Sequence, residues 1–132
     1  MTTINQPSED IKDMLESSES GLGLVFGTDL FINIEPNSPD NVVVLSDYAG
    51  IGQERYGMEM PNFQVTVRNN DQTTGYQLIK DIKYYLHEKC NELWNNTKYI
   101  SIMNISDIGF LGQDSKNRFT WSTNFQIYRT AT

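Results

Sequence analysis

The chain has 132 residues, 38% of them hydrophobic, and a net charge of −7. That length supports one hydrophobic core without staples, and the single cysteine, Cys90, excludes an intrachain disulfide. No stretch approaches the roughly 18 apolar residues of a membrane span. The start, Met1-Thr2-Thr3-Ile4-Asn5-Gln6, has no basic region followed by an apolar one, so neither a membrane anchor nor a secretion signal is expected. The expected place of folding is the reducing interior of a cell, where the N-x-S/T matches at Asn95 and Asn104 read as chance.

The charge is unevenly placed. Residues 1–66 carry eleven acids and two bases (−9), and residues 67–132 carry six acids and eight bases (+2). Such a split favours head-to-tail contact between copies. The ten bases are scattered without a basic run, which argues against binding DNA through its phosphates.

In chain order, Ser8 is expected to cap a short helix with Glu9 and Asp10 in its first turn and an apolar stripe of Ile11, Met14 and Leu15. Short strands are expected at Leu24 to Phe26 and around Leu30 to Ile34. The latter is expected to join Val42-Val43-Val44-Leu45 in a hairpin through the turn cluster 36–41. Residues 46–60, with Gly50, Gly52 and Gly57, read as a loop. Phe63, Val65 and Val67 alternate with Gln64, Thr66 and Arg68, the pattern of a half-buried strand. A long helix is expected to run to about Trp94, with Leu78, Ile79, Ile82, Tyr85, Leu86, Cys90 and Leu93 on one face. Tyr99 to Ile105 and Phe119 to Tyr128 read as strands, joined by a long loop that carries Phe110 and Leu111.

The pattern predicts one α+β domain over residues 1–132. Its sheet is mixed, mostly antiparallel and of about five strands, with the long helix and the short N-terminal helix packed on one face. Gln64, Thr66, Arg68, Thr120, Ser122, Asn124 and Gln126 give the sheet a polar second face.

The chemistry-bearing motifs are incomplete. Gly50-Ile51-Gly52-Gln53-Glu54-Arg55 lacks the third glycine of a dinucleotide loop, and there is no Gly-Lys-Ser/Thr. His87 and Cys90 would supply two ligands to a metal, short of a closed site. Asp47, Glu54 and Glu59 read as solvated acids, and no G-x-S-x-G occurs. No enzyme, cofactor or metal is therefore expected. The apolar side chains set on loops, Tyr48, Ile51, Tyr56, Phe110 and Leu111, read equally as partner contacts or as residues folded back on the core.

Several segments together resemble the tail terminator (minor capsid, head–tail joining) proteins of long-tailed bacteriophages. They are Val42-Val43-Val44-Leu45-Ser46-Asp47-Tyr48-Ala49-Gly50, Pro61-Asn62-Phe63-Gln64-Val65-Thr66-Val67-Arg68, the long helix, Gly109-Phe110-Leu111-Gly112-Gln113-Asp114, Arg118-Phe119, and Asn124-Phe125-Gln126-Ile127. The resemblance spans nearly the whole chain. It implies a homohexameric ring that caps the tail tube, ends its polymerisation and joins the tail to the head connector. It also implies assembly in the host cytoplasm, a place in the virion at the head–tail interface, and passage of DNA through the channel without specific binding. The partners would be other copies, the tail tube protein and a head connector or completion protein, with no membrane. Carried onto this sequence, it makes Tyr48, Ile51, Arg55, Tyr56, Arg68, Phe110, Leu111, Asp114 and Arg118 candidates for subunit or tail-tube contacts. The alternatives are a neighbouring head-completion or adaptor protein, or a monomeric protein-binding module.

Overall fold

The structure is a computed structural model that describes residues 4–51 and 58–131. Among the described residues the elements are α1 (Pro7–Glu16), β1 (Leu30–Ile32), β2 (Val42–Ile51), β3 (Met58–Asn69), α2 (Gln72–Leu86), β4 (Lys89–Trp94), β5 (Thr97–Asn104), β6 (Gly109–Gln113) and β7 (Phe119–Ala131), with a 3₁₀ turn at Ser18–Ser20. The seven strands form one sheet in the order β1-β2-β3-β7-β5-β4, with β6 paired to β7 off that path. Only β1 and β2 are parallel neighbours; every other pairing is antiparallel. The α+β class and the mixed sheet are as the sequence predicts, with seven strands where about five were expected.

Period-two alternation builds the core. Val43 and Leu45 of β2, Phe63, Val65 and Val67 of β3, and Phe125 and Ile127 of β7 share one face. Both helices lie on it: α1 through Ile11, Met14 and Leu15, and α2 through Ile79, Ile82 and Leu86. Phe63 and Phe125 face each other across the β3–β7 ladder with stacked rings 4.9 Å apart, a cross-strand pair of the kind that fixes register.

Several expectations are overturned. The first helix begins two residues early, at Pro7 with Gln6 as its N-cap, so Ser8 is not its cap. Ser8 instead donates its backbone N–H and its hydroxyl to the Asp47 carboxylate of β2. A strand residue thus satisfies the free donors of the helix start. Leu24 to Phe26 is not a strand; only an isolated bridge joins Phe26 to Leu30.

Residues 30–45 do not form a hairpin, because β1 and β2 run parallel. Asn33 turns the chain at φ 56°, and its side chain exchanges hydrogen bonds with Asp47. Residues 33–41 then travel back along the sheet to start β2.

The expected 46–60 loop is largely two strands, since β2 continues to Ile51 and β3 starts at Met58. Gly50 sits at a register shift there, where a Cβ would lie 2.1 Å from the Met60 carbonyl oxygen. Its place in the sequence marks close strand approach rather than a free loop.

The long helix stops at Leu86 instead of Trp94. Glu88 takes φ 66° and donates its N–H to the Ile102 carbonyl, which begins β4. Cys90 is exposed on that strand rather than buried on a helix face. Asn95 and Asn96, both at positive φ, close the β4–β5 hairpin, the two-residue turn that fits strand twist. Finally, the expected long loop that carries Phe110 and Leu111 contains β6, whose Phe110 lies opposite Trp121.

Candidate assembly surfaces

The polar second face exists where the alternation places it. The register sets Gln64 beside Asn124, Thr66 beside Ser122 and Arg68 beside Thr120. At one end this face is covered, because the 33–41 connection crosses it. Arg68 donates to the Pro39 and Asp40 carbonyls at 2.6 and 3.0 Å, and Arg118 donates to the Asn37 carbonyl at 2.7 Å. Both guanidiniums are buried. Asp114 holds Arg118 with two contacts of 2.8 Å and accepts its backbone N–H. The hydrogen bond from Arg118 keeps the Asp114 carboxyl at about 2, well below the usual carboxylate range. Burial, with Arg118 close by, pushes the Arg68 guanidinium down from its ordinary value.

The other end of the face is open. Ser46, Asn62, Gln64, Asn124 and Gln126 are half-buried there and uncharged. Tyr48 projects on the same face, opposite Asn62, and is exposed.

A second surface forms at the β6 edge. Trp121 lies 4.9 Å from the Phe110 ring and 5.0 Å from the Tyr76 ring of α2. Gly75 lets α2 come close to the end of β3, since a Cβ there would lie 3.0 Å from the Asn69 Cβ, while its contact with Trp121 would be an ordinary one. Phe110 is 47% exposed and Leu111 62% exposed. Leu111 lines a groove on the polar face with Glu35, Thr66, Gln113, Asp114 and Thr120.

A third cluster lies between α1 and the sheet. Tyr99 donates to the fully buried Asp10. Arg129 reaches the Tyr99 hydroxyl, the Asn5 carbonyl and the Glu59 carboxylate, and Asn95 donates to Asp10 at 2.7 Å. Burial and the Asp10 carboxylate push the Tyr99 hydroxyl well above its ordinary value, so it stays a donor. This cluster carries no sequence motif. Its members come from five separate segments, and only the three-dimensional fold brings them together.

The candidate residues therefore divide. Arg68, Asp114 and Arg118 come together, but they hold the 33–41 connection. Phe110 and Leu111 share the β6 edge, and Tyr48 stands apart on the polar face. Ile51 ends β2, and Arg55 and Tyr56 lie outside the described residues. His87 and Cys90 do not form a pair of ligands: His87 Nδ1 accepts the Asn104 N–H at 2.9 Å, while Cys90 sits on β4. Among the described residues, no three His, Cys, Asp or Glu side chains gather for a metal ion, and no helix is long and apolar enough to cross a membrane.

Comparison with known proteins supplies the class. A family model described as bacteriophage tail terminator protein matches residues 19–130. The protein is accordingly a structural component of a phage particle, and its class is not an enzymatic one. The chain belongs to the bacteriophage tail terminator family. Among solved structures, it is similar to a chain from the virion of the native gene transfer agent (GTA) particle. The TM-score is 0.71 at 10% identity, with 95% of each chain covered, so the likeness is one of fold. No curated protein matches this sequence.

Proposed function

We propose that the protein forms a homohexameric ring that caps the tail tube, ends its polymerisation and joins the tail to the head connector. It works without catalysis, and the whole chain acts as one domain. The ring sits at the head–tail interface of the virion and assembles in the host cytoplasm. Its partners are other copies, the tail tube protein and a head connector or completion protein.

The observation that carries this reading, beside the family, is the sheet. One face takes both helices, and the other is polar, with an open part lined by hydroxyl and amide side chains. Turned inward in a ring, such a face suits a channel. Phosphate binding needs clustered Lys or Arg. On this face Arg68 and Arg118 are spent on backbone carbonyls, and Lys98, opposite Thr130, is a lone exposed base on the open part among the described residues. DNA would pass without being held. Tyr48 on this face makes this end of β2 the candidate contact with the tail tube, and Ile51, Arg55 and Tyr56 follow it in the sequence.

The test is to mix purified protein with tail tubes and image them by negative stain. Rings on tube ends, and tubes that no longer elongate, are expected. Tubes that keep growing with bare ends would contradict the reading.

A further inference from the structure

The registers place two sheet edges at one level. Leu30 of β1 lies beside Val43, Val43 beside Val67, Val67 beside Trp121, and Trp121 beside Phe110 of β6. Four strand spacings separate β1 from β6, about 19 Å. The two edges therefore face opposite ways.

Both edges are apolar and exposed. β6 pairs only with β7 among the described residues; Phe110 stands out from it beside the Tyr76–Trp121 pair, and Leu111 stands out toward the groove on the polar face. At the other edge, residues 25–27 run beside β1, with the Gly27 N–H donating to the Leu30 carbonyl. Val25 is 52% exposed there and Phe26 47%. An open strand edge such as β6 is a pairing hazard unless it has a partner, and exposed apolar side chains at both edges mark contact surfaces.

The two edges carry charges that could pair with each other. Glu16 and Asp29 accept the Phe26 and Val25 N–H groups. Among the described residues Glu16, Glu19 and Asp29 form no ion pair. At the β6 edge, Asp107 and Asp114 are matched by Lys83 and Arg118. Lys80, which lies over the Tyr76 and Tyr84 rings, and Lys116 form no ion pair. Lys12 also lies over the Phe26 ring, but it is paired with Glu9 and Asp13, and Asp71 at the N-cap of α2 and Asp81 within it share that helix with Lys80. Acids without an ion pair at one apolar corner and lysines without one at an aromatic edge, on opposite sides of one chain, suit a heterologous contact, the kind that closes a ring.

We propose that the β6 edge, with Phe110, Leu111, Tyr76 and Trp121, receives the Val25–Phe26 corner of a second copy of this chain. The inference rests on the ring reading above and names the surfaces that join neighbouring subunits.

Cysteine crosslinking tests it. In a Cys90→Ser parent, Val25→Cys and Leu111→Cys are introduced singly and together, and a short bismaleimide is added. Both sites are exposed, so the fold is expected to survive, as circular dichroism would check. The double variant is expected to give a ladder of multimers ending at the closed ring, while each single variant stops at dimers. The two cysteines of one chain are too far apart to join each other. If the double variant gives no ladder while the parent sediments as a ring, this contact is wrong and the ring stands. A parent that stays monomeric with and without tail tubes, and a double variant without a ladder, would overturn the ring and the contact together.

Discussion

Two buried arginines, Arg68 and Arg118, tie the 33–41 connection to the sheet by donating to its carbonyls, and Asp114 keeps Arg118 in place. Asp114 is held at about 2, below the roughly 3.9 of an unfolded aspartate. Its contribution is complete above about pH 4 and is lost as pH falls through 2. The stability difference between wild type and Asp114→Asn is therefore expected to be constant at neutral pH and to shrink below pH 4, measured by urea denaturation across pH.

A larger effect is expected under α1. Asp10→Ala leaves the buried Tyr99 hydroxyl without its acceptor and the buried Arg129 without one of its carboxylates, and breaking such a buried arrangement costs about 3–5 kcal/mol. Glu9→Ala, which removes only an exposed ion pair with Lys12 at 3.8 Å, is expected to cost less than about 1 kcal/mol. Equal losses in the two variants would show that the buried cluster contributes nothing special.

At the scale of elements, what the sequence shows depends on how local the cause is. The Phe63-Val65-Val67 alternation and the Ile79-Ile82-Leu86 stripe are legible because burial on one face imposes the period directly. The end of α2 is not legible from that stripe, because Cys90 and Leu93 continue the helical spacing by coincidence. The Asn95-Asn96 dipeptide between two six-to-eight-residue runs is the overlooked signal. Asn96 at φ 63° gives a check. Asn96→Gly is expected to be tolerated, and Asn96→Val to lower stability by about 1–2 kcal/mol in thermal unfolding. The parallel pairing of β1 and β2 had no local signal. It follows from Asp47 serving both Asn33 and Ser8, and from distant arginines holding the connection. The apolar character of Phe110 and Leu111 was legible, but their place on an edge strand depends on pairing with β7.

For the whole molecule, two helices on one sheet face, a polar second face and two opposed apolar edges describe a subunit that presents different surfaces in different directions. Membership of the tail terminator family gives those surfaces a setting in the phage particle. The proposed ring would give each a role: edges to neighbouring copies, the open polar face to the channel, and the Tyr48 end of β2 to the tube. The split between an acidic first half and a basic second half is consistent with contacts that are strongest at low salt. The most direct measurement is the mass of the assembly by native mass spectrometry or sedimentation, with the protein alone and with tail tubes. The account predicts a closed six-copy species, formed alone or on the tube. Protein that remains monomeric in both settings would contradict it.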